Sequence, residues 1–514
     1  MTDTDRPSPS PGSRPGPRLA AAWSSLGGDP DLLARVTTVG RPGTLPARLP
    51  VRETARACVG ACALAAAELG ARRAGPARRG RPPGPGVPAV RVDDGAVAAA
   101  FVSERHLLVD GRAPVSFAPL SRFWRTADGW VRTHANYPHH RARLLTALGT
   151  SDDPEAVAAA LAGRSAAEVE ETVYAAGGLA VALRAPAAWA AHAQAAAVAR
   201  RPLVERGRLD SAPARVLAPV DRDPLLPAAG LRVLDLTRVV AGPVATRTLA
   251  LLGADVLRLD PPGLPELPDQ HTDTGFGKRS ALLDLPVGRD TFEELLAAAD
   301  VVVTGYRPGS LDRLGLGAEA LAERRPGVVV AQLSAWGAYG PWAGLRGFDS
   351  LVQAATGIAV SEGSAGRPGV LPAQALDHGT GYLLAAAVLR ALTEQADEGG
   401  SRFVRLALAR TAAWLLEGAA PPRAPGDDRT AAAPDPASAS VSASAPGADV
   451  GAGGSADDWL AETDSALGRL RYARSPVSFT DGPRDWARPP GPWGADPARW
   501  DADPARWGRD DPTR

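Results

Sequence analysis

Asp377 and His378 stand in the stretch "QALDHGTGYLLAAAVLRAL", Gln374 to Leu392, directly before a strongly apolar helical run. Two kinds of chemistry fit an acid in that place. Asp accepts hydrogen bonds from the free N–H groups of a helix's first turn, and Gly379 and Gly381 let the entering backbone bend, so one reading is a cap. A carboxylate at the positive end of a helix, beside backbone without side chains, is also a poised nucleophile. Local residues leave both open. Elsewhere, "TRVVAGP", "TGYRPGSLDRLGLG" and "SAWGAYGPWAGLRGFDS" combine glycines with arginine. Such loops bring backbone N–H groups to phosphate. Ordinary turns with solvated arginines are the alternative.

Either site needs a scaffold, and residues 230–415 supply the clearest one. "GLRVLDLT" is a β-branched run of buried-strand type, and "AGPVATRTLALLGA" reads as a helix with Pro243 near its start and Gly253 at its end. "DVLRLD", "DVVVTGY" and "GVVVAQLSA" read as further strands, and "GRDTFEELLAAA" as a further helix. This alternation predicts an α/β fold, a Rossmann-like parallel sheet with helices on both faces. Ligands of such sheets bind past the C-terminal ends of the strands, where the three arginine loops fall. No G-x-G-x-x-G follows the first strand and no Walker-type loop occurs, which argues against a standard dinucleotide or P-loop site.

A chain of 514 residues is too long for one ordinary core. Its formal net charge is 0 and its pI is near 7.1, so bulk charge points to neither nucleic acid nor an anionic membrane. Cys58 and Cys62 are too few for a disulfide framework; their spacing suits one helix face, as small apolar residues of a reducing compartment. Residues 1–18 carry acids and prolines without an apolar core, so they read as a disordered leader and not a secretory signal. Apolar runs are broken by Arg or Glu short of about 20 residues, which predicts no bilayer span and a cytoplasmic protein. Lys278 is the only lysine; with Arg279 it fits either a role behind the loops or a solvated surface. Residues 206–229 read as a linker, 416–456 as an Ala/Pro/Ser low-complexity linker, and 457–514 as a Trp-rich tail that wraps onto another domain.

Taken in order, "GLRVLDLTRVVAGPVATRTLALLGADVLRLDPPG", "GKRSALLDL", "ADVVVTGYRPGSLDRLGLG", "SAWGAYGPWAGLRGFDS" and "ALDHGTG" resemble the family III coenzyme A transferases, the CaiB/BaiF group. The resemblance covers 230–415 and implies a CoA-binding catalytic core. Its substrates would be a coenzyme A thioester (an acyl-CoA) and a carboxylic acid, with no permanently bound cofactor and no metal. It implies that Asp377 attacks the thioester and carries anhydride and aspartyl-CoA intermediates in turn. It places CoA contacts on Val240, Ala241, Pro261, Leu283, Asp284, Leu285, Pro286, Gly305, Tyr306, Arg307, Arg313, Arg346, Gly347, Phe348 and Asp349. Arg307, Arg313 and Arg346 are forked donors suited to the diphosphate and 3′-phosphate of CoA. Members often carry Asn where this chain has Gly305, and formyl-CoA transferases carry Gln where Val240 stands. These departures leave the substrate class open.

A helix N-terminus favours the charged form of Asp377 by about 0.3–1 kcal/mol, and an ordinary carboxylate is ionised near pH 7 in any case. Activation is therefore expected from positioning and from oxyanion donors worth roughly 3–4 kcal/mol each. The N–H groups of residues 379–381 are candidates for those donors. Upstream, "GRPGTLPAR", Gly40 to Arg48, mirrors "GRPGVLPAQ", Gly366 to Gln374, each before an Ala-rich helix. Val51 falls where Asp377 does, so 19–105 reads as a degenerate half-core without a nucleophile. "FWRTADGWVRTHANYPHHRARLLTALG", with an Asp-Gly hairpin turn, resembles the smaller α+β domain of the family, placed here at 106–205 ahead of the core. Members being interlocked homodimers, the expectation is a homodimer or an intramolecular pseudo-dimer. His134, His139 and His140 lack cysteines or clustered acids at ligand spacing, which opposes a metal reading. The leading function is acyl-CoA:carboxylate CoA-transferase. A 2-methylacyl-CoA racemase shares the fold and the aspartate, but racemases resembling this chain carry His where Phe348 stands. A non-catalytic CoA-binding scaffold is a third reading, opposed by the intact Asp377.

Overall fold

The computed structural model describes residues 16–74, 86–221, 223–364, 366–418 and 456–501. The leader up to residue 15, residues 419–455 of the low-complexity tract and the tail beyond 501 lie outside the described residues. Seven strands form the main sheet: β1 (Glu205–Arg208), β2 (Arg232–Leu236), β3 (Asp255–Asp260), β4 (Lys278–Leu282), β5 (Val301–Thr304), β6 (Val329–Ser334) and β7 (Arg402–Ala407). Their spatial order is β4-β3-β2-β5-β6-β7-β1. All neighbours are parallel except the edge pair, in which β1 runs antiparallel to β7. Runs such as "VVVT" and "VVAQLS" are buried almost throughout, as parallel strands covered on both faces must be. The chain winds outward from β2 through β3 to β4, then restarts at β5 and winds the other way. The strand order therefore reverses between β2 and β5, and ligands of such sheets bind past the C-terminal ends of the strands at that reversal.

Five helices matter for the site: α1 (Val51–Arg73), α2 (Pro138–Leu148), α3 (Ala241–Leu251), α4 (Asp349–Ala355) and α5 (Ala375–Glu398). By length and composition α1 could cross a membrane, against the sequence expectation, yet it is buried inside the protein along α5. Cross-contacts join residues a nearly constant distance apart in sequence. Arg390 pairs with Glu68, 322 positions away, and Arg72 with Asp397, 325 away, so the two helices run parallel. Small residues let them approach: a Cβ at Gly379 would lie 3.4 Å from Cys58 Sγ. Burying Leu383, Leu384, Val388 and Leu389 of α5 contributes about 1.5–3 kcal/mol each. Two short parallel strands, Val36–Val39 and Val90–Asp93, accompany α1.

Residues 123–125, 130–133 and 180–182 form a three-stranded antiparallel sheet with the Asp128-Gly129 turn between its first two strands, and α2 follows. Between β1 and β2 the chain has no helix or strand through 221, but it is tied down: Asp210 Oδ1 accepts from Ser401 N at 2.8 Å, and Arg215 pairs with Asp300 at 2.6 Å. The described tail pairs as Leu460–Ser465 with Gly468–Ala473 and then runs along β4. Ser280 N donates to Asp496 Oδ2 at 2.8 Å, and Trp493 Nε1 donates to Asp260 Oδ2 at 2.9 Å.

Candidate active site

Most of the residues that the resemblance marked lie on loops that follow strands of the main sheet, while Ala241, Asp349 and Asp377 fall in the first turns of helices. Val240 and Ala241 open α3 and are buried. Gly305 sits opposite them, its space closed by Thr237, since a Cβ there would meet Thr237 Cβ at 3.3 Å. Arg307 Nη1 donates to Gly344 O at 3.2 Å, which joins the loop after β5 to the loop bearing Arg346, Gly347 and Phe348. Pro261 follows β3, and Leu283 N donates to Asp260 O at 2.9 Å, so the Leu283–Asp284–Leu285–Pro286 run stands beside it. That run lies two strands out from β2, apart from the Val240–Gly305 pair. Tyr306 is half-buried, its phenol pushed up to about 12 by burial and then by Asp260. Arg313 is exposed in a short 3-10 turn, Asp312–Leu314.

The turn into α3 is strained. Val239, a β-branched residue, holds φ +72°, a left-handed conformation that costs on the order of 1–3 kcal/mol. Its N–H donates to Glu266 Oε2 at 3.0 Å. Arg258 reaches the same oxygen at 3.0 Å, and Tyr137 Oη from the N-terminal half donates to Oε1. Burial opposes the Glu266 charge, but Arg258 and Arg238 outweigh it and hold the carboxyl down to about 2. A depressed folded-state pKa stabilises above the ordinary carboxylate value, and that stabilisation is lost as pH falls toward the folded value. Glu266→Gln is therefore expected to be less stable than wild type by about 3 kcal/mol at pH 7. In denaturant unfolding the gap should close as pH falls from 4.5 toward about 2. A gap that stays constant across that window would mean the charge is not its source.

Behind this turn, Lys278 is not a solvated surface residue. It begins β4, is buried, and its Nζ lies 3.0 Å from both Asp235 Oδ2 and Pro243 O. Burial pushes its ammonium down to about 8 against the pull of Asp235. Arg279 is likewise buried and paired with Asp255 at 2.8 Å. Lys278 braces the first strand-to-helix connection from within, whereas Arg279 ties β4 to the start of β3 and to the tail at Arg499 O.

Asp377 does not cap its own helix. It is the third residue of α5, and the cap is provided by Asp349: Oδ2 accepts from Leu376 N at 2.8 Å and from Asp377 N at 3.0 Å. Asp349 Oδ1 accepts from Gln353 Nε2, so this carboxylate holds α5 in place. Relieved of capping, the Asp377 carboxylate makes no hydrogen bond among the described residues and is only 6% exposed. Burial, then the like charges of Asp349 and Glu104, hold it well above the usual carboxylate range. Asp349 is pushed up to about 6, chiefly by burial. The expectation of an ordinary ionised carboxylate is thus corrected: a dipole worth about 0.3–1 kcal/mol is outweighed by desolvation and two neighbouring carboxylates. The expected oxyanion donors are corrected too. Gly379 and Gly381 lie inside α5, where N–H groups serve the helical ladder. They permit close packing instead, because a Cβ at Gly381 would lie 2.6 Å from Ala241 O.

The N-terminal half reaches the same place. Glu104 Oε2 lies 3.4 Å from His378 Nε2, and Phe101 stacks on the His378 ring at 5.4 Å. Contact with His378 outweighs burial and holds Glu104 below its ordinary range. On the other side, His134 stacks face to face on Phe348, with centroids 3.7 Å apart and planes 6° apart. Glu104, Phe101, His134, Tyr137 and Glu266 were not legible from sequence spacing; the Glu104–His378 contact, for one, joins positions 274 apart. Among the described residues, no group of three His, Cys, Asp or Glu side chains could hold a metal ion.

Residues 228–450 match the family described as CoA-transferase family III. An acetyl-coenzyme A transferase of Hypoxylon pulicicidum is 37% identical over 202 residues, 38% of this chain and 34% of that protein. A probable fatty acyl-CoA transferase of Mycobacterium tuberculosis is 35% identical over 209 residues, covering 38% of this chain and 53% of the relative. Formyl-CoA:oxalate CoA-transferase of Rhodopseudomonas palustris is 34% identical over 194 residues, 35% of this chain and 45% of that protein. The chain thus spans a third to about half the length of these curated relatives. Among solved structures, a CaiB/BaiF family protein of Brucella suis is 28% identical, with a TM-score of 0.34, over 37% of this chain and 55% of that one. The part of the chain that carries the parallel strands and Asp377 is thus the part that resembles CoA-transferase family III.

Proposed function

We propose that the protein moves coenzyme A from an acyl-CoA to a free carboxylic acid, with Asp377 as the nucleophile. The observation that carries this reading is the division of labour between two acids: Asp349 caps α5, leaving the Asp377 carboxylate without a structural partner. An Asp377 oxygen attacks the thioester carbonyl and CoA leaves as thiolate, giving a mixed anhydride on the enzyme. The thiolate attacks Cγ of Asp377 and expels the donor's carboxylate, giving an aspartyl-CoA thioester. The acceptor carboxylate attacks that thioester to form a second anhydride and thiolate. The thiolate then takes the acyl carbon, which releases the new acyl-CoA and restores Asp377. No proton, electron or water is consumed across the cycle. Thr237, Val240 and Gly305 shape the site, and Arg307, Arg313 and Arg346 supply guanidinium forks for the CoA phosphates. Since Glu104 and His134 enter from the N-terminal half, we place the chain as an intramolecular pseudo-dimer whose two halves share one site.

A second reading has one observation behind it. A 2-methylacyl-CoA racemase needs an acid/base group opposite Asp377, and the His134 ring packed on Phe348 restores an imidazole next to the position that lacks one. One experiment ranks the two. Purified protein incubated with paired acyl-CoAs and carboxylates in deuterated buffer is expected to yield new thioesters by mass spectrometry without deuterium at the α-carbon. Asp377-dependent deuterium uptake with no new thioester would reverse the order.

A further inference from the structure

Five side chains able to carry positive charge meet where the N-terminal half faces the loops after β5 and β6. His139, His140 and Arg143 belong to α2, an 11-residue helix whose first turn holds both histidines. Arg307 and Arg346 come from the sheet. The two imidazoles are 4.0 Å apart, and His140 lies edge-on to Phe348 at 5.9 Å. Main-chain contacts fix the surround: Tyr174 Oη donates to Arg346 O at 3.0 Å, and Arg143 Nη1 donates to Gly177 O at 3.3 Å.

What the five lack is counter-charge. Among the described residues, none of them forms an ion pair with a carboxylate. His140 is 5% exposed, and its Nδ1 is buried without a hydrogen-bond partner. The cations oppose one another: burial, then Arg307 and Arg143, push the Arg346 guanidinium below its ordinary value, and His140 falls to about 3 through burial, His139, Arg346, Arg143 and the neighbouring Arg238. Gathering such groups is unfavourable unless an anion joins them. The positive end of α2 points the same way.

We infer that this wall, supplied jointly by α2 and the Arg307 and Arg346 loops, binds an anionic group of the substrate pair. Two sources share that chemistry: a phosphate of CoA, or a second carboxylate on the acid. The inference rests on the CoA-transferase reading for its ligands, and adds that the N-terminal half contributes binding charge to the site as well as packing.

The test titrates full-length wild type and Arg143→Gln with four probes: CoA, 3′-dephospho-CoA, succinate and butyrate. Arg143 is exposed, so its replacement leaves the fold intact. If CoA is the source, Arg143→Gln should weaken CoA about fivefold, a discounted value for a solvent-screened arginine. If the acid is the source, succinate should bind wild type more tightly than butyrate, and that preference should vanish in the variant with CoA affinity unchanged. Arg143→Lys should recover part of either effect, and added salt should erase it. Equal affinities of wild type and Arg143→Gln for all four probes overturn the inference. Wild type that binds no form of CoA overturns the functional reading, and the succinate arm still decides this one.

Discussion

Asp377→Asn is expected to abolish transfer and at the same time stabilise the fold. Loss of the nucleophile should lower kcat by about 10⁴-fold or more. Stability should move the other way for a reason worked out from charge. A carboxyl whose folded pKa is raised above its unfolded value binds its proton more tightly when folded, so ionising it costs stability as pH rises above the ordinary carboxylate range. At neutral pH wild type carries that penalty, and the amide does not. Removing an unpaired buried charge that faces two other carboxyl groups is worth on the order of 1–3 kcal/mol, and asparagine at this third helical position leaves the Asp349 cap untouched. Thermal unfolding at pH 7 and at pH 4 should show the variant's advantage shrinking toward the lower value. The same charge cluster predicts that the acidic limb of kcat/KM falls above the usual carboxylate range. Hydroxylamine or borohydride treatment after incubation with acyl-CoA should modify a peptide containing Asp377 in wild type alone. Turnover at wild-type rates in the variant would falsify the assignment.

Separating the two halves should have the other large effect. Nearly every residue of α5 from Ala375 to Thr393 is buried, and much of that cover is α1. A chain starting at residue 225 would expose this face, lose the Glu68–Arg390 and Arg72–Asp397 pairs, and lose Glu104 beside His378. It is expected to aggregate or lose essentially all activity, as apolar faces of this extent do when uncovered. Cutting the intact protein at a protease site inserted after Asp221 should be tolerated. The two pieces should co-elute in gel filtration and retain activity, because the contacts across the break are noncovalent and extensive. Soluble, fully active 225–514 on its own would show the N-terminal half to be dispensable.

The parts of the molecule that were readable in sequence are those with local causes. β2, β3, β5 and β6 announced themselves as β-branched runs, and the Gly-rich loops after them lie where a parallel sheet puts its ligands. β1 gave no signal: "ERGR" is charged and holds a glycine, and it is a strand only because β7 offers an open edge. Lys278 could not be assigned either, since its meaning depends on Asp235, forty-three positions earlier. The site divides the same way. Asp377 stood out through its helix and its motif, whereas its protonation is decided by Asp349 and Glu104, which no spacing rule brings near. The likeness of "GRPGTLPAR" to "GRPGVLPAQ" is visible in sequence, and the direction in which α1 meets α5 is not.

The last described residues bear on how this sheet survives being made. An open parallel sheet has two unpaired borders, each a template on which another chain can add a strand. One border here is β1, whose Arg206 and Arg208 put charge on the rim. The other is β4, and its cover is the segment around Trp493 to Asp496, with Ala281 bridged to Ala495. That cover is about two hundred residues downstream of the strand it protects. At about 5–20 residues per second, β4 waits ten seconds or more after leaving the ribosome before its border can be closed. During that interval the growing chain is sticky along one side, so crowding and the availability of chaperones should govern its yield in the cell.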